Sequence, residues 1–270
     1  VKGDANHADT AAAQVSVTIK PNEISPAITL SGDGLTETNG VYSYEYDGKL
    51  KTPTVTVKDG NDEISDDEYS VSYRDNTNAG TATVTVSNKN GGNYIVNGTA
   101  TFEITKKTPT FTAPEGIPGL QYTGAPQELV KAGVSSEGAV VYSVNGGNYS
   151  SAIPVGTAVG TYTISYKVLG DANHSDTEPV ELTVSIGKNE VTDPTISLSS
   201  DRFQYNGSQQ KPTITVYDGH SRVIPEHEYT AAITGKKGND MVNVDTYTVT
   251  IDPVANSNYE FQGNLTRTFE

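Results

Sequence analysis

The chain contains no cysteine and no tryptophan, a single methionine, and only 18 lysines and arginines against 33 aspartates and glutamates. Without cysteine there is no disulfide framework, no thiolate metal site, no thiol nucleophile and no iron–sulfur cluster. The shortage of basic residues leaves a formal net charge of −15. Such a charge speaks against nucleic acid or an anionic membrane surface as partner, because both select basic patches. No apolar run approaches the roughly 20 residues of a membrane-spanning helix, so no membrane insertion is expected, and Val1 does not open a signal peptide.

What the chain does have is repetition. Val1-Lys-Gly-Asp-Ala-Asn-His-Ala-Asp-Thr10 returns as Val168-Leu-Gly-Asp-Ala-Asn-His-Ser-Asp-Thr177, and the match runs on through Val15–Ile19 against Leu182–Ile186. A second block, Tyr44-Glu-Tyr-Asp-Gly48 followed by Thr52-Pro-Thr-Val-Thr-Val57, returns as Phe203-Gln-Tyr-Asn-Gly207 and Lys211-Pro-Thr-Ile-Thr-Val216. Asn93-Tyr94 answers Asn258-Tyr259. The shift in offset between blocks places extra residues near Ser31–Val41 of the first copy, in loop-type sequence that tolerates insertion. Four segments follow: 1–19, the tail of a B-type repeat; 20–107, an A-type repeat; 108–186, a B-type repeat; and 187–270, a second A-type repeat. Both ends fall inside a repeat, as in a piece of a longer tandem array.

Alternating polar and apolar residues mark half-buried strands, since successive strand side chains point to opposite faces. Thr54–Val57, Thr81–Val86, Thr161–Tyr166, Leu182–Ile186, Thr213–Val216 and Thr246–Ile251 all alternate in this way. Turn pairs separate them: Asp47-Gly48, Asp59-Gly60, Asn90-Gly91, Asn97-Gly98, Asn145-Gly146, Asn206-Gly207 and Asp218-Gly219. Each can supply the positive φ of a tight hairpin. Only Ser65–Tyr69 and Pro225–Tyr229 could form a helical turn. Short strands at this spacing predict an all-β fold of tandem β-sandwiches. Tyr46, Tyr122, Tyr205, Tyr69, Tyr229, Tyr94 and Tyr259 recur at matching positions and are expected as large core or corner residues.

These residues resemble the bacterial immunoglobulin-like repeats of the "mostly bacterial Ig" group. The A-type repeat carries the likeness in Tyr46-Asp-Gly48, Thr52–Gly60, Glu68–Tyr73, Asn76–Val86 and Asn93-Tyr94. The B-type repeat carries it in Tyr122-Thr-Gly124, Tyr142–Gly147, Ile153-Pro154, Gly160–Val168 and Gly170–Asn173. The resemblance implies immunoglobulin-like sandwiches in tandem, in bacterial proteins exported to the cell wall or surface, where they act as stalks or adhesive arrays. It brings no catalytic residues. The second A-type repeat departs from the pattern at Ala231–Asn243, where Thr234-Gly-Lys-Lys-Gly238 replaces the Tyr73–Asn78 run. Short linkers (Lys20-Pro-Asn22, Lys106-Lys-Thr-Pro109, Gly187-Lys-Asn189) suggest an elongated, monomeric rod of about 100 Å.

Catalytic signatures are lacking: there is no G-x-S-x-G, no phosphate-binding loop and no H-E-x-x-H. No enzymatic activity and no cofactor are expected. Carboxylates are plentiful enough for a glycosidase-like pair, but they sit in turns, where solubility explains them. The densest oxygen cluster, Asp59, Asn61, Asp62, Glu63, Asp66, Asp67 and Glu68, suits calcium by ligand type, and Asp59, Asn61, Asp62, Asp66 and Asp67 are the candidate ligands. The second A-type repeat lacks most of them. Asp4/Asp171, Asn6/Asn173, His7/His174 and Asp9/Asp176 invite a metal reading too, although Asp and Asn of this spacing cap turns by themselves. Tyr149 and Tyr217 are the candidate sugar-stacking rings, so glycans or proteins of a cell surface are the partners to weigh beside a pure spacer role. Last, Val15, Val17 and Ile19 alternate as a strand does. They are expected to lie on the first A-type repeat or to pair with another chain.

Overall fold

A computed structural model describes residues 1–263 and 265–270. Among the described residues the protein is all-β, with helical geometry confined to two single turns, Asp66–Glu68 and Glu226–Glu228, at the two places where the sequence allows them. The contacts divide the chain into two compact units. Val1–Pro109 with Gly170–Ser175 forms one, and Thr110–Leu169 with Asp176–Glu270 forms the other.

In the first unit a five-stranded sheet runs in the order Thr36–Thr38, Val41–Glu45, Gly98–Thr105, Gly80–Asn88, Tyr69–Arg74. Ala27–Ser31, Thr54–Asp59 and Asp62–Ile64 make a three-stranded sheet. The alternating Thr-Val sequences place their apolar side chains on one face, and the two sheets bury those faces together. Leu30 packs with Tyr44, Ala82, Val84, Phe102 and Ile104, and next to them Val57 and Ile64 pack with Tyr69, Val86 and Val96. This is the β-sandwich arrangement. The extra residues of the first copy form the Thr36–Thr38 hairpin. It turns through Asn39 and Gly40 at φ 52° and 80°, which is how a two-residue loop matches the twist of its strands.

The second unit holds two further cores. Leu129, Val130, Tyr142, Ile164, Tyr166, Val184 and Ile186 gather around a four-stranded sheet of Leu120–Gln121, Val180–Gly187, Gly160–Leu169 and Ala139–Val144. Val191, Ile196, Val216, Ile224, Tyr229, Met241, Tyr247, Val249, Ile251 and Phe269 form the other, against the sheet of Tyr229–Thr234, Tyr247–Pro253 and Thr266–Phe269. The departure at Ala231–Asn243 leaves Tyr229–Thr234 paired along its length. Beyond it the chain makes a loop that Asp245 and Asn239 hold by accepting from the Lys237 and Gly235 amides at 2.7 and 3.1 Å.

Three expectations need correction. Val15, Val17 and Ile19 form no strand and stand 83–92% exposed, so they do not lie on the first A-type repeat. The matching strand, Val180–Gly187, is held between Gly160–Leu169 and Leu120–Gln121, and without such neighbours an alternating sequence has nothing to bury. Tyr205 is not a core residue but 64% exposed. Finally, Asn97-Gly98 opens a strand rather than a turn, and the Asp218 turn takes its positive φ at Ser221 (64°) instead of Gly219.

Candidate functional site

The candidate ligands for calcium lie along a hairpin and the turn after it. Asp59 and Asp62 face each other across the hairpin, while Asp66 and Asp67 follow on the helical turn. Among the described residues no group of three or more His, Asp or Glu side chains is placed to hold a metal ion. Tyr149 is partly exposed, with its hydroxyl 2.8 Å from Ser165 Oγ and the Lys167 ammonium 5.3 Å from the ring centre, while Tyr217 is half-buried within its strand.

The repeated Gly-Asp-Ala-Asn-His segment is a turn capped by its own aspartate. Asp171 Oδ1 accepts from the backbone of Asn173 and His174 at 2.7 and 2.9 Å and lies 2.8 Å from His174 Nδ1. Asp4 does the same toward Asn6 and His7 at 2.9 and 2.8 Å. These bonds, to Asn173 first and His174 next, hold the Asp171 carboxyl below its ordinary value.

What the sequence did not disclose is that Asn173-His174 matches Asn93-Tyr94 and Asn258-Tyr259 in structure. In each case the aromatic residue pairs in parallel with a residue within three positions of the start of its segment: Asn22 with Tyr94, Lys107 with His174, Asn189 with Tyr259. In each case that starting amide donates to the asparagine carbonyl, at 2.8, 3.1 and 2.9 Å.

Two of these asparagine–aromatic elements reach onto preceding residues, and they do so alike. His174 stands edge-on to Tyr46 with centroids 5.4 Å apart, and Tyr259 edge-on to Tyr122 at 5.5 Å. Asn173 Oδ1 accepts from the Ala79 amide at 2.9 Å, and Asn258 Oδ1 from the Val159 amide at 3.4 Å. Each donor amide comes just before a glycine of positive φ, Gly80 at 137° and Gly160 at 150°, a conformation in which a side chain would be strained. Lys106 Nζ and Asn189 Nδ2 add bonds to the Asp171 and Tyr122 carbonyls at 2.8 and 3.0 Å.

A carboxylate braces the asparagine in both A-type copies. Glu68 accepts from the Asn93 amide at 2.6 Å and from Nδ2 at 2.7 Å; Glu228 accepts from the Asn258 amide and Nδ2, both at 2.7 Å, and from Ser257 Oγ at 2.9 Å. Burial pushes the Glu228 carboxyl up, but the bonds from Asn258 and Ser257 outweigh it and hold the group below its ordinary value. The sequence signal was the recurrence of Glu-Tyr and Asn-Tyr in both copies. Chemically the arrangement is a contact element: it fixes one stretch of backbone against another, with amides and rings rather than reactive groups.

No protein-family model matches the chain, and no curated protein matches it. Among solved structures, domains 4–9 of the surface layer protein SbsC align with 90% of this chain and 47% of that one, at 17% identity and a TM-score of 0.23. The chain spans about half the length of that structure, and a score so low carries no argument.

Proposed function

We propose that the chain is a series of immunoglobulin-like β-sandwiches of the mostly bacterial Ig type, strung as a rod, which serves as a non-catalytic spacer and adhesive segment of a bacterial cell-surface protein. The observation that carries this reading is the asparagine–aromatic element, placed three times in the same register and twice seated on the same pair of preceding groups. A chain whose shared geometry lies in its repeat-to-repeat contacts is suited to holding modules in line. The resemblance of the repeats supports a place outside the cell. Among the described residues no helix is long and apolar enough to cross a membrane.

Small-angle scattering tests the rod. A compact globule of this length has a radius of gyration of about 18 Å. A rod of about 100 Å, built from units of strand-and-loop length, gives about 30 Å. A value near the lower figure would overturn the reading.

A further inference from the structure

The first A-type copy carries a reactive bond beside its asparagine–aromatic element. Asn-Gly occurs five times in the chain, at Asn39, Asn90, Asn97, Asn145 and Asn206. Before glycine an asparagine can cyclise, because no side chain shields the backbone nitrogen that attacks it. Folding holds four of the five. Asn39 and Asn145 sit in the left-handed region at φ 52° and 50°. Asn39 is closed into its hairpin by the Thr38–Val41 pair, and Asn145 Oδ1 accepts from the Thr163 amide at 2.9 Å. Asn206 Oδ1 accepts from the Ser208 amide at 2.8 Å. Asn97 precedes a glycine fixed in a strand, where a Cβ would meet Pro26 and Ile28 at 3.1 and 2.9 Å.

Asn90 is held in none of these ways. It lies with Gly91 on an exposed turn closed by one long bond, from the Gly92 amide to the Lys89 carbonyl at 3.3 Å. Among the described residues neither its side chain nor the Gly91 amide has a hydrogen-bond partner. The turn rests on Glu68, the brace of Asn93. The Lys89 amide donates to the Glu68 carbonyl at 3.2 Å, and the Asn93 amide to Glu68 Oε2 at 2.6 Å. A Cβ on Gly92 would meet that same oxygen at 2.7 Å. The Asn93 carbonyl accepts in turn from the Asn22 amide at 2.8 Å. At this place the second copy has Ala255-Asn256-Ser257, and Ser257 Oγ donates to Glu228 at 2.9 Å.

We propose that the Asn90-Gly91 bond is a self-modification site, whose conversion loosens the contact element of the first copy as the chain ages. The Gly91 nitrogen, its proton lost to hydroxide, attacks Asn90 Cγ. The Cγ–Nδ2 bond breaks, ammonia leaves, and a five-membered succinimide closes. Water then opens the ring at either carbonyl, leaving an aspartate or a main chain that runs through the β-carboxyl. Both products put a carboxylate on a turn already bonded to the backbone of Asp66 and Glu68, where like charges repel. The second product also lengthens the main chain by one carbon between Lys89 and Gly92, which the turn bond cannot span unchanged. This goes beyond the spacer reading and does not depend on it.

The test is to age the chain at neutral pH and follow it by peptide mapping with mass spectrometry, reading isoaspartate with a methyltransferase assay. Asn90 is expected to convert about fivefold or more faster than any of the other four Asn-Gly sites, whose attack needs local opening first. Hydrogen exchange of the Asn93 and Asn22 amides should quicken about threefold in the converted chain. The Asn90→Gln variant, whose longer side chain would need a six-membered ring, should age without either change. Equal conversion at all five sites, or faster conversion at another, overturns the assignment of the site. Conversion at Asn90 that leaves exchange at Asn93 unaltered overturns its effect on the contact element. Neither result bears on the rod, which scattering tests separately.

Discussion

The His174 ring stands edge-on to Tyr46, 5.4 Å between centroids, 128 positions along the chain, while the Asn173 side chain beside it accepts the Ala79 amide. The same two contacts recur between Tyr259 and Tyr122 and between Asn258 and Val159. An edge-to-face aromatic pair contributes about 0.5–1.5 kcal/mol beyond its buried area, and a neutral hydrogen bond about 1 kcal/mol net. Neither alone fixes a junction. Together, with the backbone bonds to Lys107 and Ser175 around them, they hold the Gly170–Ser175 loop on its neighbour.

Asn173→Ala should therefore release the loop without unfolding the cores. The Ala79 amide loses its acceptor, and its exchange should quicken about fivefold or more, as expected for losing roughly 1 kcal/mol. Asn173→Asp keeps an acceptor oxygen and should keep most of the protection. Exchange at Ala79, read by NMR, checks both.

Glu228→Ala should cost far more than Glu68→Ala. Glu228 is 2% exposed, and its removal strands a hydroxyl, a side-chain amide and a backbone amide at once. The expected loss is about 2–4 kcal/mol, confined to the core around Val249 and Ile251. Glu68 is only half-buried, so water can replace it at Asn93. Chemical denaturation followed by segment-resolved exchange separates the two.

Acid should weaken that same core first. Glu228 has a folded value below its ordinary 4.5, so the unfolded chain binds the proton more tightly. Stability from this carboxylate is complete above the ordinary value and is lost as pH falls through it toward the folded one. Asp218 acts in the same direction: burial raises it, but bonds from the Arg222 backbone and guanidinium and the His220 amide outweigh that and hold it low. The denaturant midpoint of the 191–269 core should drop as pH falls below about 5, and Glu228→Gln should flatten the drop.

Gly156→Ala tests the middle core. A methyl there would meet Tyr162 Cζ at 2.8 Å, Leu129 Cδ2 at 3.0 Å and Ile186 Cδ1 at 3.1 Å. The last two belong to side chains that are only 0–1% exposed. Overpacking of this kind costs about 1–3 kcal/mol. Thermal unfolding should shift for residues 108–186 and leave the Val57–Phe102 core in place.

The strands were legible because a sandwich buries one face of each, and Thr81–Val86 or Thr161–Tyr166 can satisfy that only by alternating. The helical turns before Tyr69 and Tyr229 were legible for a similar local reason. Alternation misled at Val15–Ile19, where the pattern states what a strand would bury but not whether a sheet is present to receive it. Tyr205 misled in the same way: its match, Tyr46, is covered by a loop from elsewhere in the chain, and Tyr205 has no such cover. The asparagine–aromatic element was half visible. Asn93-Tyr94 and Asn258-Tyr259 matched by letter, but Asn173-His174 matched only by hydrogen bonds and register. The Glu228 brace lies 30 residues from Asn258, so only folding brings the two together.

Pulling the chain from its ends tests the modular account most directly. If residues 20–107, 108–186 and 187–270 each fold around a core of their own, force extension gives three separate unfolding steps of about 30 nm, at roughly 3.6 Å per released residue. A single step of about 90 nm, or two steps near 40 and 55 nm, would contradict it.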